Sequence, residues 1–132
     1  MEPKNTAKPF LGIDFTFNII KDVQKVPWQE EAPWYREIAD GFCWLCYCEN
    51  SQCPAFRQLV VINRGYGRFN YNDLLALRCP ACRSERLSVR NCGFVKTQWT
   101  IRGQLASRNS RVFTEGKTYD EKLHTFKEMD YR

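Results

Sequence analysis

Apolar and polar positions alternate over several short stretches of this chain, and such spacing is typical of β-strands. The clearest case is residues 11–19, where every second position is large and apolar. Shorter alternations begin at Phe42 and Val95, and residues 56–62 are apolar at five of seven positions. The pattern therefore predicts a small, mainly β fold built on an antiparallel sheet.

Glycines between these stretches predict where the strands turn. The turn at residues 65–67 predicts a hairpin whose second strand runs through residues 69–71. Residues 86–92 and 94–102 are predicted to be two strands separated by Gly93. Each break is placed where a residue without a side chain allows the backbone to reverse direction.

The C-terminal stretch has a different spacing. Residues 104–117 are polar and basic, and they predict an extended linker. Thr118 and Glu121 have the spacing of a helix capping box. Apolar residues then recur at helical spacing: Leu123, Phe126 and Met129. We therefore expect a short amphipathic helix over about residues 119–131, which docks on its own domain or on a partner.

Charge is distributed unevenly and suggests three parts. Residues 1–40 carry 5 basic and 7 acidic side chains, residues 41–103 carry 9 and 3, and residues 104–132 carry 6 and 5. We predict an N-terminal extension over 1–40, a domain over 41–103, and a C-terminal linker and helix over 104–132. Almost all positive charge of the domain is arginine, which suits phosphate or carboxylate recognition.

Two cysteine pairs inside this domain have the spacing of metal ligands. Four residues separate Cys48 from Cys53, and a Pro-Ala turn separates Cys79 from Cys82. Four thiolates so placed can close a tetrahedron around Zn²⁺. The sequence therefore predicts a zinc-ribbon-like antiparallel sheet holding one structural Zn²⁺, with an extended N-terminal arm and a short C-terminal helix.

Three further cysteines leave alternatives for the ligand set. Cys43 and Cys46 also have ligand spacing, but a second metal would need Cys92 and the single histidine, His124. His124 is remote in sequence and is more simply a surface residue of the predicted helix. Unligated buried thiols are common, so we expect the three extra cysteines to be free.

Many further residues fall into one ordered pattern with these cysteines: Gly41, Phe42, Trp44, Cys48, Asn50, Cys53, Ala55, Val61, Ile62, Gly65, Gly67, Phe69, Cys79, Pro80, Cys82, Cys92, Gly93, Phe94, Trp99 and Gly103. This half of the chain resembles a four-cysteine domain family of protists and some fungi, sometimes found beside ubiquitin-like domains. The resemblance implies zinc and a small β-rich domain, without established catalytic residues. In its register Cys43 and Cys46 replace Asn and Gly, and Cys92 matches a cysteine outside both pairs.

Several features argue against an enzyme. A catalytic zinc keeps one position open for water, whereas four cysteines fill the shell. A thiol nucleophile would need a nearby histidine, and His124 is far from the cysteine pairs in sequence. The chain also lacks a phosphate-binding loop and a dinucleotide fingerprint.

We therefore expect a non-catalytic, zinc-stabilised structural or interaction subunit of a large assembly. It would bind neighbouring protein chains through its tails and its arginine-rich face, for example on a protist axonemal microtubule, whose acidic surface attracts arginine. The residues predicted to contact partners are Phe15, Phe17, Trp28, Trp34, Arg64, Arg68, Leu123 and Phe126. The alternatives are a ubiquitin-pathway adaptor and an RNA-binding or ribosome-associated zinc-ribbon protein.

The sequence also bears on compartment. No apolar run approaches the length of a membrane span, and the N-terminus has no pattern of a secretory signal. Seven cysteines in such a chain favour metal over disulfides. We expect an intracellular protein without membrane contact, associated with the cytoskeleton or a ciliary axoneme, with an organellar assembly as the alternative.

Overall fold

The computed structural model describes residues 15–26, 32–105, 110–120 and 122–131. Within these ranges lie seven strands: β1 (Phe15–Lys25), β2 (Gly41–Cys48), β3 (Leu59–Gly65), β4 (Leu87–Val95), β5 (Gln98–Leu105), β6 (Ser110–Lys117) and β7 (His124–Tyr131). Two short 3-10 helices, η1 (Trp34–Arg36) and η2 (Tyr71–Ala76), lie between strands. The strands form one sheet in the order β3-β2-β4-β7-β1-β5-β6. The prediction of a mainly β, largely antiparallel fold is confirmed, although β1 and β5 pair in parallel.

Strand β2 is buried on both faces. Trp44 and Cys46 face the larger core cluster, and Cys43 and Leu45 face a smaller one on the opposite side. A strand covered on both faces has no solvent side on which polar residues would alternate. This explains why residues 41–48 are almost entirely apolar.

An aromatic group joins distant strands of the sheet. The ring of Phe94 on β4 stacks on Trp99 of β5 with centroids 4.3 Å apart and planes 7° apart. Phe126 on β7 meets both rings edge-on, at 6.0 and 5.6 Å. Because two strands separate β4 from β5 in the sheet order, this contact requires the sheet to curl around these rings.

The predicted C-terminal helix over residues 119–131 is wrong. Residues 124–131 form β7, which lies between β4 and β1 and pairs with both. Phe126 is 2% exposed and Leu123 is 9% exposed, so both pack within this chain. Hydrogen bonding to two neighbouring strands and burial of Phe126 outweigh the weak helical preference of a short segment.

Three other local predictions also need correction. The predicted linker contains β6, which pairs with β5 along its whole length. The hairpin after residues 65–67 does not form, because η2 follows that turn. The break at Gly93 is wrong, since β4 continues through it. An added Cβ at Gly93 would lie 2.5 Å from the Leu123 side chain, so this glycine permits close packing and does not end the strand.

The sheet crosses the predicted domain boundaries. Strand β1, which overlaps the strand predicted over 11–19, is an inner strand and not part of an extended arm. Strand β5 runs through residue 103, where a boundary was predicted. Strands from all three predicted parts therefore belong to one sheet, while residues 11–14 lie outside the described residues.

Candidate metal centre

Four cysteine thiols meet at one end of the sheet. The sulfur atoms of Cys48, Cys53, Cys79 and Cys82 all lie within 4.8 Å of one another. Two of the sulfur–sulfur distances are 3.7 Å, between Cys48 and Cys82, and 3.8 Å, between Cys53 and Cys79. A tetrahedron with Zn–S bonds of about 2.3 Å has edges of about 3.8 Å. The spacing therefore fits one tetrahedrally bound metal ion, as the sequence predicts.

The second pair lies in a closed turn. Pro80 restricts the backbone between the two ligands. The Arg83 N–H donates to the Cys79 carbonyl at 2.8 Å, and the Cys79 N–H donates to the Ser84 carbonyl at 2.9 Å. These bonds hold both thiols on the same side of the turn, and Arg83 adopts a left-handed conformation with φ of 67°.

The first pair lies in a longer loop that starts directly after β2. The Cys53 N–H donates to the Asn50 carbonyl at 3.0 Å, and the Arg57 N–H donates to the Cys48 carbonyl at 2.6 Å. Arg57 is also left-handed, with φ of 57°. The chain thus folds back beside Cys48 and brings Cys53 towards the other three thiols.

Each of the four sulfur atoms accepts a hydrogen bond from one backbone amide. In each case the donor is the N–H two residues after the cysteine: Asn50 for Cys48, Ala55 for Cys53, Ala81 for Cys79 and Ser84 for Cys82. The Asn50 side chain adds a second bond to Cys82 at 3.4 Å. Hydrogen bonds of this kind stabilise thiolates and orient metal ligands.

The thiols differ in their acidity in the absence of metal. Burial raises the pKa of Cys48 to about 12 and also raises that of Cys53. Burial acts in the same direction on Cys82, but bonds from Asn50 and Ser84 lower its pKa to about 7. Metal ligation requires all four thiols to be deprotonated, so binding of the metal must displace protons.

The remaining cysteines lie elsewhere in the core. Among the described residues, no second group of three or more candidate ligands comes together. Burial raises the pKa of Cys43 and of Cys46 to about 12, and Cys92 contacts the Met129 sulfur at 3.9 Å. The interpretation of these three residues as free buried cysteines agrees with this arrangement.

His124 does not join the metal centre. It begins β7, and its Nε2 lies 2.9 Å from Asp120 Oδ1. Lys25, at the end of β1, contacts the other Asp120 oxygen at 3.0 Å. Hydrogen bonds from His124 and Lys25 hold the pKa of Asp120 well below its usual range. The predicted helical position of His124 is therefore wrong. The four-cysteine cluster does not include His124.

The residues predicted to contact partners have different surroundings. Trp34 is 64% exposed, and Arg64 and Arg68 are also exposed. Leu123 and Phe126 are buried in this chain, so their predicted role in partner binding is wrong. The other three are aromatic: Phe15 and Phe17 lie on β1 opposite Gly103 and Leu105, and Trp28 lies outside the described residues.

Sequence reasoning missed two features of the site. Asn50 donates its side-chain amide to a ligand from the other pair, and the signal available was a polar residue two positions after a cysteine. Arg57 and Arg83 have the left-handed conformation that usually favours glycine or asparagine. No local pattern indicated that arginine would occupy these positions.

Comparison with known proteins gives no relative for this chain: no family model, curated protein or solved structure matches it. The resemblance to the four-cysteine family of protists therefore stays a prediction. In the described parts of the chain, neither short 3-10 helix is long or apolar enough to cross a membrane.

Proposed function

We propose that this protein is a non-catalytic, zinc-stabilised structural and interaction subunit. The observation that carries the proposal is the cluster of four thiols, each with an amide donor two residues further along the chain. Four cysteine ligands fill a tetrahedral shell and leave no position for a reactive water. The metal therefore acts on the fold and not on a substrate.

The metal stabilises a part of the chain that has little sheet structure. Between β2 and β3 the first loop makes only an isolated bridge, from Cys48 to Phe56, and the second loop contains no strand. In small metal-binding modules the free energy of metal binding contributes directly to folding. We therefore expect both loops to lose their structure without the ion.

Elemental analysis and a matched pair of variants test this proposal. We expect one zinc per chain. An S₄ site can also hold iron, and elemental analysis separates the two metals. Cys79→Ser should lose the metal and unfold the loops. Cys43→Ser is the control, since Cys43 is equally buried but lies outside the cluster. Iron, two zinc ions per chain, or a stable Cys79→Ser variant would overturn the proposal.

We therefore expect exposed side chains of the folded sheet to make the contacts with other molecules. The described parts of the predicted tails contribute β1, β6 and β7 to that sheet. Exposed arginines at the Gly41 end of β2, among them Arg64, remain available for a protein partner. A subunit that binds acidic surfaces through such arginines suits the predicted setting on an axonemal microtubule or a similar lattice.

Sedimentation with polymerised microtubules tests this setting. We expect the full chain to pellet with microtubules at low salt and to be released as salt screens the charges. Failure to pellet at low salt would refute the axonemal assignment while leaving the zinc-stabilised fold intact. Titration with ubiquitin, followed by changes in amide chemical shifts, tests the alternative of a ubiquitin-pathway adaptor.

A further inference from the structure

The two metal-binding loops form one continuous surface at the end of β2 and β4, which we call the metal end and define as residues 47–58 and 79–90. Cys48 pairs with Leu87 at the start of β4. Immediately beyond this pair, the Glu49 N–H donates to the Arg86 carbonyl at 2.8 Å. The loops are therefore held side by side by the sheet, by this bond and by the shared thiol cluster.

The metal end is rich in exposed arginine. It carries four exposed guanidinium side chains, on Arg57, Arg83, Arg86 and Arg90. It carries only two acidic residues, and one of these, Glu85, is already 3.4 Å from Arg78. Guanidinium groups present several N–H donors in a plane and suit phosphate oxygens.

Two of these arginines lie over aromatic rings. The Arg57 guanidinium carbon is 5.0 Å from the centre of the Phe56 ring, and that of Arg90 is 5.2 Å from the centre of the Tyr47 ring. Tyr47 is itself 37% exposed. Rings and guanidinium planes at a surface provide the stacking platforms on which unpaired bases are bound.

Backbone conformation gives an independent observation. Three non-glycine residues in the described ranges have positive φ, and two of them are Arg57 and Arg83. Glycine or asparagine reaches this conformation at lower cost than arginine does. A costly residue type at both metal-binding loops points to a use for its side chain.

We propose that the metal end binds single-stranded nucleic acid, with its arginines on phosphates and the Arg90–Tyr47 pair against a base. This goes beyond the proposed function but rests on its zinc-stabilised fold, because the metal holds both loops in place. An acidic protein surface would also attract the arginines, but it gives no role to the stacked rings. The observations therefore favour nucleic acid over an acidic protein.

The primary experiment measures binding of the full zinc-loaded chain to a fluorescein-labelled 12-nucleotide oligouridylate by anisotropy, between 50 and 200 mM salt. Three phosphate contacts predict that log K falls with log salt with a slope of about −2, since each contact to a single strand contributes about −0.7. Arg57→Gln, Arg83→Gln and Arg86→Gln combined should reduce the slope to near zero and weaken binding at least tenfold at 50 mM salt.

A matched triple variant controls for total charge. Arg64→Gln, Arg102→Gln and Lys117→Gln remove the same charge from exposed positions outside the metal end. This variant should keep most of the affinity and slope. An equal loss in both triple variants would show unspecific attraction to net charge and would overturn the proposal.

A second variant tests stacking without changing charge. Tyr47→Leu keeps an apolar side chain of similar size but removes the ring. It should weaken oligouridylate binding about fivefold or more while leaving the salt slope unchanged, because stacking on a ring contributes to each base bound. An affinity unchanged in Tyr47→Leu would overturn the stacking part of the proposal.

Zinc content and a second ligand separate the remaining explanations. Zinc is measured in every variant. Loss of zinc from the metal-end triple variant would mean that these arginines balance the charge of the thiolates, and would overturn the proposal. Poly-glutamate that binds as tightly as oligouridylate would indicate an acidic protein partner instead. A zinc-loaded chain that does not bind oligouridylate refutes this inference and leaves the zinc-stabilised fold standing, whereas a chain without zinc refutes the proposed function.

Discussion

Replacement of Phe126 by alanine tests the assignment of the C-terminal segment to the sheet. The Phe126 side chain is 2% exposed and meets Phe94 and Trp99 edge-on. Replacement of a buried phenylalanine by alanine lowers the free energy of unfolding by about 3–5 kcal/mol in protein cores. Because two edge-to-face ring contacts are also lost, we expect a destabilisation above the lower end of that range, at about 4 kcal/mol. This is a large share of the stability of a domain of this size.

Equilibrium unfolding in urea, with zinc held constant, measures the effect. With a slope of about 2 kcal/mol per molar urea, a loss of about 4 kcal/mol lowers the midpoint by about 2 M. Phe113→Ala is the control, because Phe113 lies on β6 and is 60% exposed, and we expect a change of at most about 0.5 kcal/mol. Equal small effects of both substitutions would mean that Phe126 is not buried against Phe94 and Trp99, and would refute its place in the sheet.

Three further predictions concern packing, charge and metal. Gly116→Ala should destabilise the fold by about 1–3 kcal/mol, since the added Cβ would lie 2.7 Å from the Trp99 ring; an unchanged thermal midpoint would contradict this. Asp120→Asn should lower stability at neutral pH. The low pKa of Asp120 means that its contribution is present above about pH 4, the unfolded value, and is lost as pH falls further. If the Asp120→Asn variant and the unchanged protein have equal urea midpoints both at pH 7 and at pH 3, this role of Asp120 is excluded. Removal of metal with a strong chelator should unfold the loops, as measured by hydrogen exchange, and added zinc should restore protection.

The metal centre was largely predictable because its chemistry is local in each pair. A Pro-Ala turn between two cysteines brings both thiols to one side within four residues, and four thiolates have few uses other than binding a soft metal. The sequence could therefore indicate the ligands Cys48, Cys53, Cys79 and Cys82. It could not indicate the bond from Asn50 to Cys82, because that contact joins residues 32 positions apart that lie on different loops.

Strand β2 was similarly evident, whereas the C-terminal segment was not. The alternation that begins at Phe42 predicted a strand there, and burial on both faces explains why residues 41–48 are more apolar than that alternation requires. Residues 119–131 carry a helical spacing of three apolar positions that is weak by itself. They become a strand because β4 and β1 each offer an unpaired edge, and because Phe126 completes the aromatic group.

By itself, then, the sequence determined the class of fold and the set of thiols, since alternation and ligand spacing act over a few neighbouring residues. Tertiary structure alone decided that the terminal segments complete the sheet and that Leu123 and Phe126 are buried. It also decided that Arg57 and Arg83 stand beside the thiol cluster on left-handed backbone. Such outcomes depend on hydrogen bonds and packing between residues far apart in the chain, and no local pattern encodes the partner strand that a segment will meet.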